Sequence, residues 1–101
     1  MIQTSSYGKF LSSLDDVSRK IIGKKVKNLD RGCLGNSKLI RTCNDGAANR
    51  RLYELVIDYK QGYRVYWCKN KQDVWCLNAG YKKSQKQDIE VAKKIIDKAF
   101  T

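Results

Sequence analysis

Histidine does not occur in this 101-residue chain. Its absence excludes the Ser-His and Cys-His pairs that activate most nucleophilic hydrolases. Proline is missing too, and no internal repeat or low-complexity stretch breaks the chain. Cysteines stand only at 33, 43, 68 and 76, and none forms a Cys-x-x-Cys pair. A zinc site therefore has little support, and the four read as reduced thiols acting as small apolar residues. Cys68 and Cys76 fall on adjacent predicted strands, where one residue of turn register decides whether they share a face. No apolar run approaches the ~20 residues that a membrane span needs, and no charged-then-apolar leader opens the chain. The expectation is a cytoplasmic protein with no membrane contact.

Acidic residues are also few. Ten Asp and Glu face 21 Lys and Arg, a formal charge of +11. Such an excess draws polyanions, nucleic acid first and acidic proteins second, although a basic protein that is merely well solvated shows the same balance. The length suits one domain, 1–101, with a single modest core.

In chain order, residues 1–6 are polar and unpatterned and read as a loose end. Tyr7, Phe10, Leu11 and Leu14 recur at i, i+3, i+4 and i+7, one face of a short helix. Asp15-Asp16 can cap a second helix that turns Val17, Ile21, Ile22, Val26 and Leu29 inward and ends near Gly32. Gly23 weakens it by about 1 kcal/mol relative to alanine. Lys24 and Lys25 lie on its basic outer face, which is either solvated surface or an RNA-docking side. Leu39-Ile40 reads as a short edge strand before an Asn44-Asp45-Gly46 turn.

From Leu52 the pattern is clearer. Leu52–Tyr59, Tyr63–Cys68 and Val74–Ala79 alternate apolar and polar residues, are rich in β-branched and aromatic side chains, and are separated by short turns. Connections this short make an antiparallel meander, since parallel pairing needs a much longer crossover. Ser84 and Gln87 have capping-box spacing and predict a helix start. Ile89, Ala92, Ile95, Ile96, Ala99 and Phe100 supply its apolar face. The fold class is α+β: two N-terminal helices, an antiparallel β-meander, and a C-terminal helix expected to pack near the first two.

The phrase from Glu54 to Trp67, Glu-Leu-x-Ile-x-Tyr-x-x-Gly-Tyr-Arg-Val-Tyr-Trp, resembles the central hairpin of the RelE/HigB toxin superfamily, in particular its addiction-module killer-protein branch. Gly80-Tyr81-Lys82-Lys83-Ser84-Gln85 followed by Asp88-Ile89 is similar to that branch's Gly-Asp-Lys-Ser-Ser-Gln…Asp-Ile, with Tyr81 in place of Asp. Leu34-Gly35-Asn36 matches a further short motif after the second helix. The resemblance covers residues 9–100. It implies the toxin of a type II toxin-antitoxin module that cuts mRNA in the ribosomal A site without a cofactor or metal. Its partners would be the ribosome, mRNA and a cognate antitoxin of HigA-like helix-turn-helix type.

Such chemistry needs a group to take the 2′-hydroxyl proton, a cation on the scissile phosphate, and a proton for the leaving 5′-oxygen. By motif, Arg64 is the phosphate contact and Lys82 the basic residue after the third strand. Tyr81 and Asp88 are candidates for proton transfer or base stacking. Arg50, Arg51, Lys83, Lys24 and Lys25 are candidates for RNA binding. Structural alternatives stand beside these: Arg64 paired with Glu54 or Asp58 across the hairpin, Lys82-Lys83 as loop charge, and Asp88 as a helix N-terminal charge. The family's first strand commonly presents basic residues, whereas Glu54, Val56 and Asp58 hold the outward positions here. A non-enzymatic toxin with a protein target such as gyrase, as in ParE relatives, and a degenerate relative that only binds antitoxin or RNA are the competing readings.

Overall fold

The structure, a computed structural model, describes residues 1–44 and 49–100, with 41–44, 49 and 50 described by backbone alone. Strand β1 is Ile2–Gln3, helix α1 Ser5–Ser12, helix α2 Asp16–Asp30, and strand β2 Ser37–Asn44. Strands β3 (Asn49–Ile57), β4 (Tyr63–Asn70) and β5 (Asp73–Tyr81) follow, then a 3-10 turn over Lys82–Ser84 and helix α3, Gln85–Ala99. The strands form one sheet in the order β1-β5-β4-β3-β2, antiparallel except for β1 against β5. The expected α+β meander is present, the expected edge strand at Leu39-Ile40 falls within the longer β2, and β1 on the opposite edge is additional. Asp45 and Gly46 of the expected turn lie outside the described residues.

The N-terminus departs from expectation. Ile2 and Gln3 pair with Trp75 and Cys76 of β5, so residues 1–6 are not a loose end. Thr4 secures this pairing: its N–H donates to the Cys76 carbonyl at 3.1 Å and its hydroxyl to the Leu77 carbonyl at 2.6 Å. The same Thr4 oxygen caps α1 by accepting from the Tyr7 N–H. Polar composition does not show this, because backbone pairing at a sheet edge makes little demand on side chains.

Asp15 caps α2 as expected, accepting from the Ser18 N–H at 3.2 Å and the Ser18 hydroxyl at 2.6 Å. The Tyr63 hydroxyl donates to Ser18 from β4, tying helix to sheet. That arrangement turns Ser18 inward, and the next-door Val17, expected in the core, is 56% exposed. Ile22, Val26 and Leu29 are buried, and α2 ends before Gly32, whose φ is +84°.

The two Ser18 hydrogen bonds, with Lys60 3.4 Å away, hold the Asp15 carboxyl down to about 2. A carboxyl depressed in the folded state stabilises above the unfolded value of 3.8 and loses that contribution as pH falls through about 2. The melting temperature is therefore expected to drop across this interval. Asp15→Asn, which keeps a capping oxygen but cannot titrate, should flatten that part of the acid limb in a thermal-melt series.

Two cores result. Tyr7, Leu14, Ile22, Val26 and Leu29 of the helical segment pack on Leu55, Ile57, Tyr63, Val65, Trp67, Cys76 and Ala79 of one sheet face. Leu52, Tyr66, Cys68 and Leu77 on the other face pack against Ala92 and Ile96 of α3. Helix α3 thus lies across the sheet from α1 and α2, not beside them as expected. Both faces of strands β3 to β5 are apolar, and a sheet so patterned must be covered on both sides.

A β-bulge adjusts the second face. Tyr66 pairs with Asn78 and Trp67 with Cys76, leaving Leu77 as the extra residue. Leu77 and Asn78 consequently both turn toward α3, the side from which the Asn78 side chain donates to the Asp88 carbonyl at 3.2 Å. Cys68 and Cys76 fall on opposite faces, which excludes a disulfide between them. Burial pushes the Cys76 thiol up to about 12, so it stays protonated and unreactive.

Candidate functional site

Polar residues interrupt the α3 face at one end. Glu54 of β3 is 2% exposed, Arg64 of β4 8%, and Asn78 of β5 7%. Arg64 stands between Val56 on one side and Gly80 on the other. Neither neighbour offers a counter-charge. The Arg64 Nη1 donates to the Tyr63 carbonyl at 3.0 Å, while Nε has no hydrogen-bond partner among the described residues. Among the described residues Arg64 forms no ion pair. The alternative of a hairpin pairing with Glu54 or Asp58 is not realised: the register sets Glu54 opposite Tyr66, and among the described residues no ion pair joins Arg64 to Asp58. The Glu54 carboxylate is instead taken by Gln85, whose Nε2 donates to Oε2.

Lys82 joins Arg64 through the turn at Gly62. The Lys82 N–H donates to the Gly62 carbonyl at 3.3 Å. A Cβ added at Gly62 would lie 3.6 Å from Arg64 Nη1 and 3.7 Å from Lys82 Cβ, so both cationic side chains flank this one residue. They line a groove of about 340 Å³ with Asp58, Lys60 and Gln61. Gln61 and Lys82 also border a second groove, of about 480 Å³, completed by Tyr81, Lys83 and Gln85. Two adjoining concavities bordered by Arg64, Lys82 and Lys83 fit an extended polyanion.

The description "Phage derived protein Gp49-like (DUF891)" belongs to a family whose sequence model matches residues 9–100. The chain belongs to that family. Gp49-like proteins are addiction-module toxins of the RelE-like kind, and membership implies an antitoxin as partner. A Haemophilus influenzae protein named only as uncharacterized is 38% identical over 93 residues, covering 89% of this chain and 85% of the relative. No solved structure matches.

Not every predicted residue of this Gp49-like chain meets at the groove. The Tyr81 ring borders the larger cavity but packs against Phe10 at 5.2 Å and Tyr63 at 5.5 Å, on the α1 side. Asp88 lines neither groove. Its carboxylate lies where a Cβ on Gly80 would be, 1.9 Å from that position, and accepts from the Ser84 hydroxyl at 2.6 Å. This contact replaces the expected capping box: with its hydroxyl turned to Asp88, Ser84 makes no side-chain cap. Arg51 is exposed and lies five residues before Val56, roughly 17 Å along the strand from the Arg64 level. The side chain of Arg50 lies outside the described residues. Lys24 and Lys25 are exposed on α2, across the sheet.

Other participants escape sequence reasoning. Glu54 and Val56, expected outward, are buried, and Gln85 at the start of α3 covers the Glu54 carboxylate. The Tyr66 hydroxyl is buried close to the Glu54 carboxylate, and desolvation first, then the Glu54 and Asp88 carboxylates, raise its pKa well above the ordinary phenol value. The phenol stays neutral. The polar side chains Glu54, Arg64 and Asn78 at inward strand positions are the only sequence signal for this cluster, and it becomes readable once the bulged register is known.

Among the described residues no helix is long and apolar enough to cross a membrane, and no group of His, Cys, Asp and Glu could hold a metal ion.

Proposed function

We propose that this chain is the toxin of a type II module of RelE/HigB kind, acting in the cytoplasm as a ribosome-dependent mRNA endonuclease. The observation that supports it is Arg64: a nine-tenths buried guanidinium with no counter-ion among the described residues, bordering an open groove beside Lys82. A buried charge without a partner is costly, and a phosphate completes the set of interactions it lacks.

In this reading Arg64 and Lys82 hold the non-bridging oxygens of the scissile phosphate. Asp58, the carboxylate lining the same groove, takes the proton from the 2′-hydroxyl as that oxygen attacks phosphorus. Lys82 returns a proton to the departing 5′-oxygen, leaving a 2′,3′-cyclic phosphate and a 5′-hydroxyl. Tyr81 offers a ring to a neighbouring base and Lys83 a charge to the next phosphate. Asp88 acts at one remove, by seating α3 on Gly80. Arg50, Arg51, Lys24 and Lys25 are left for ribosomal RNA or other partners. The antitoxin is taken to be a HigA-like helix-turn-helix protein.

Mapping mRNA ends in a cell-free translation reaction tests this. Cuts are expected in translated message and none in the same RNA without ribosomes. Binding of a short single-stranded RNA should weaken with salt, with a log–log slope near −2 for three neutralised phosphates at about −0.7 each. A protein-directed toxin is the second reading, favoured by the burial of Glu54 and Val56, which among the described residues leaves no basic β3 side chain on the groove. Intact message, a flat salt dependence and inhibited gyrase supercoiling would select it.

A further inference from the structure

Across the sheet from Arg64, the two N-terminal helices enclose another groove, of about 470 Å³. Tyr7 and Leu11 of α1, Val26 of α2 and Met1 give it apolar walls. Lys20, Lys24 and Lys27 of α2 form its rim. Their spacing, i, i+4 and i+7, places all three along one side of the helix. All are exposed, and among the described residues none of them is ion-paired and no carboxylate lines the groove.

Gly23 lies in the same wall. A mid-helix glycine costs about 1 kcal/mol relative to alanine. Close packing does not require it, because a Cβ added there would meet nothing within 4 Å. What the missing side chain does is leave the groove open between the lysines. A row of lysines alone would be ordinary solvated surface; an apolar trough kept clear beside it is a seat for something amphipathic.

We propose that this groove seats an acidic amphipathic segment of the antitoxin. Its apolar side chains enter between Tyr7, Leu11 and Val26, and its carboxylates meet Lys20, Lys24 and Lys27. From Lys20 to Lys27 the helix advances roughly 10 Å, enough for about two turns of a helix laid alongside. The proposal rests on membership of the toxin family and is independent of RNA cleavage. Desolvated carboxylate–lysine contacts select for charge, and the trough selects for the period of the apolar residues.

The probe is a fluorescein-labelled peptide of about fifteen residues, long enough for about four helical turns. It carries leucines at i, i+4 and i+7 with glutamates beside them, and a scrambled peptide of the same composition is the control. Anisotropy should show the patterned peptide binding at least about tenfold tighter than the scrambled one, a difference of about 1.4 kcal/mol. Gly23→Trp should fill the trough and lower that affinity at least about tenfold while leaving translation-coupled cleavage unchanged. The Lys20→Glu, Lys27→Glu double variant should lose binding equally, which keeps the test sound if Gly23→Trp folds poorly. Equal binding of the two peptides, or undiminished binding by the double variant, would overturn the proposal. So would a single-stranded RNA that displaces the peptide and itself depends on Lys20 and Lys27, because the row would then belong to nucleic acid. Failure of cleavage in every protein, with peptide binding intact, would count against the nuclease alone.

Discussion

Arg64→Ala is expected to lower translation-coupled mRNA cleavage by about two to three decades, the usual loss when a preorganised charge-stabilising group is removed. The scissile phosphate gains negative charge as it becomes five-coordinate, so a fixed guanidinium stabilises that state more than the ground state. Arg64 is already held in place by the strand and by its bond to the Tyr63 carbonyl, and among the described residues it forms no ion pair that would have to break first. Arg64→Lys should recover only part of the rate, because an ammonium lacks the two-pronged contact. Arg64→Met keeps most of the buried stem without the charge and should cleave as poorly as the alanine variant. Thermal melts on the same proteins separate chemistry from folding. Full cleavage by an Arg64→Ala protein that melts early would end the catalytic assignment.

The second large effect is structural. Gly80→Ala places a methyl 1.9 Å from Asp88 Oδ2 and 2.9 Å from Asp88 Cγ, distances that no relaxed side chain tolerates, and tightly against Ser84 Oγ at 3.0 Å. Something must give, and the Asp88 backbone is itself held by Asn78. Overpacking of this kind typically costs about 1–3 kcal/mol, and in a domain of this size each kcal/mol moves the melting temperature by about 4–8 °C. Asp88→Ala in the Gly80→Ala background removes the obstacle and should restore much of the loss. A double-mutant cycle then gives a favourable coupling of more than about 1 kcal/mol. Simple additivity would mean that Asp88 does not rest on Gly80, and the seat of α3 would need another explanation.

The meander was legible because each of its strands carries its own period and its own turn. Gly62 closes the first hairpin as expected, and the second is tighter than composition suggests, with only Lys71 and Gln72 between paired Asn70 and Asp73. Alternation does not say which helix covers which face, so α3 was expected on the wrong side. Val17 shows the same gap on a smaller scale: its hydrophobicity pointed inward, but the Asp15–Ser18–Tyr63 hydrogen bonds set the rotation of α2. At the candidate site, motif resemblance located Arg64 and Lys82, which do border one groove. It could not separate them from Arg51, Lys24 and Lys25, because distance across a sheet is not written in local spacing. Ser84 and Asp88 do stand at the start of α3, as the helix-end alternative has it, but local spacing does not show that the Asp88 carboxylate also rests against a bare glycine on a strand.

The pairing of Ile2 with Trp75 carries a consequence for how the chain assembles. Thr4 and Leu77 are 73 residues apart in sequence, so their bond closes a loop of most of the protein, whereas β3, β4 and β5 meet through short hairpins. Contacts of high sequence separation form slowly, because the chain entropy of the loop is lost before the contact returns anything. During synthesis the first strand leaves the ribosome early and must wait for β5 to emerge. Until then Thr4 has no Leu77 carbonyl to bind. The hairpins close over short loops as soon as their strands are free, and the N-terminus is expected to close the sheet's edge only afterward.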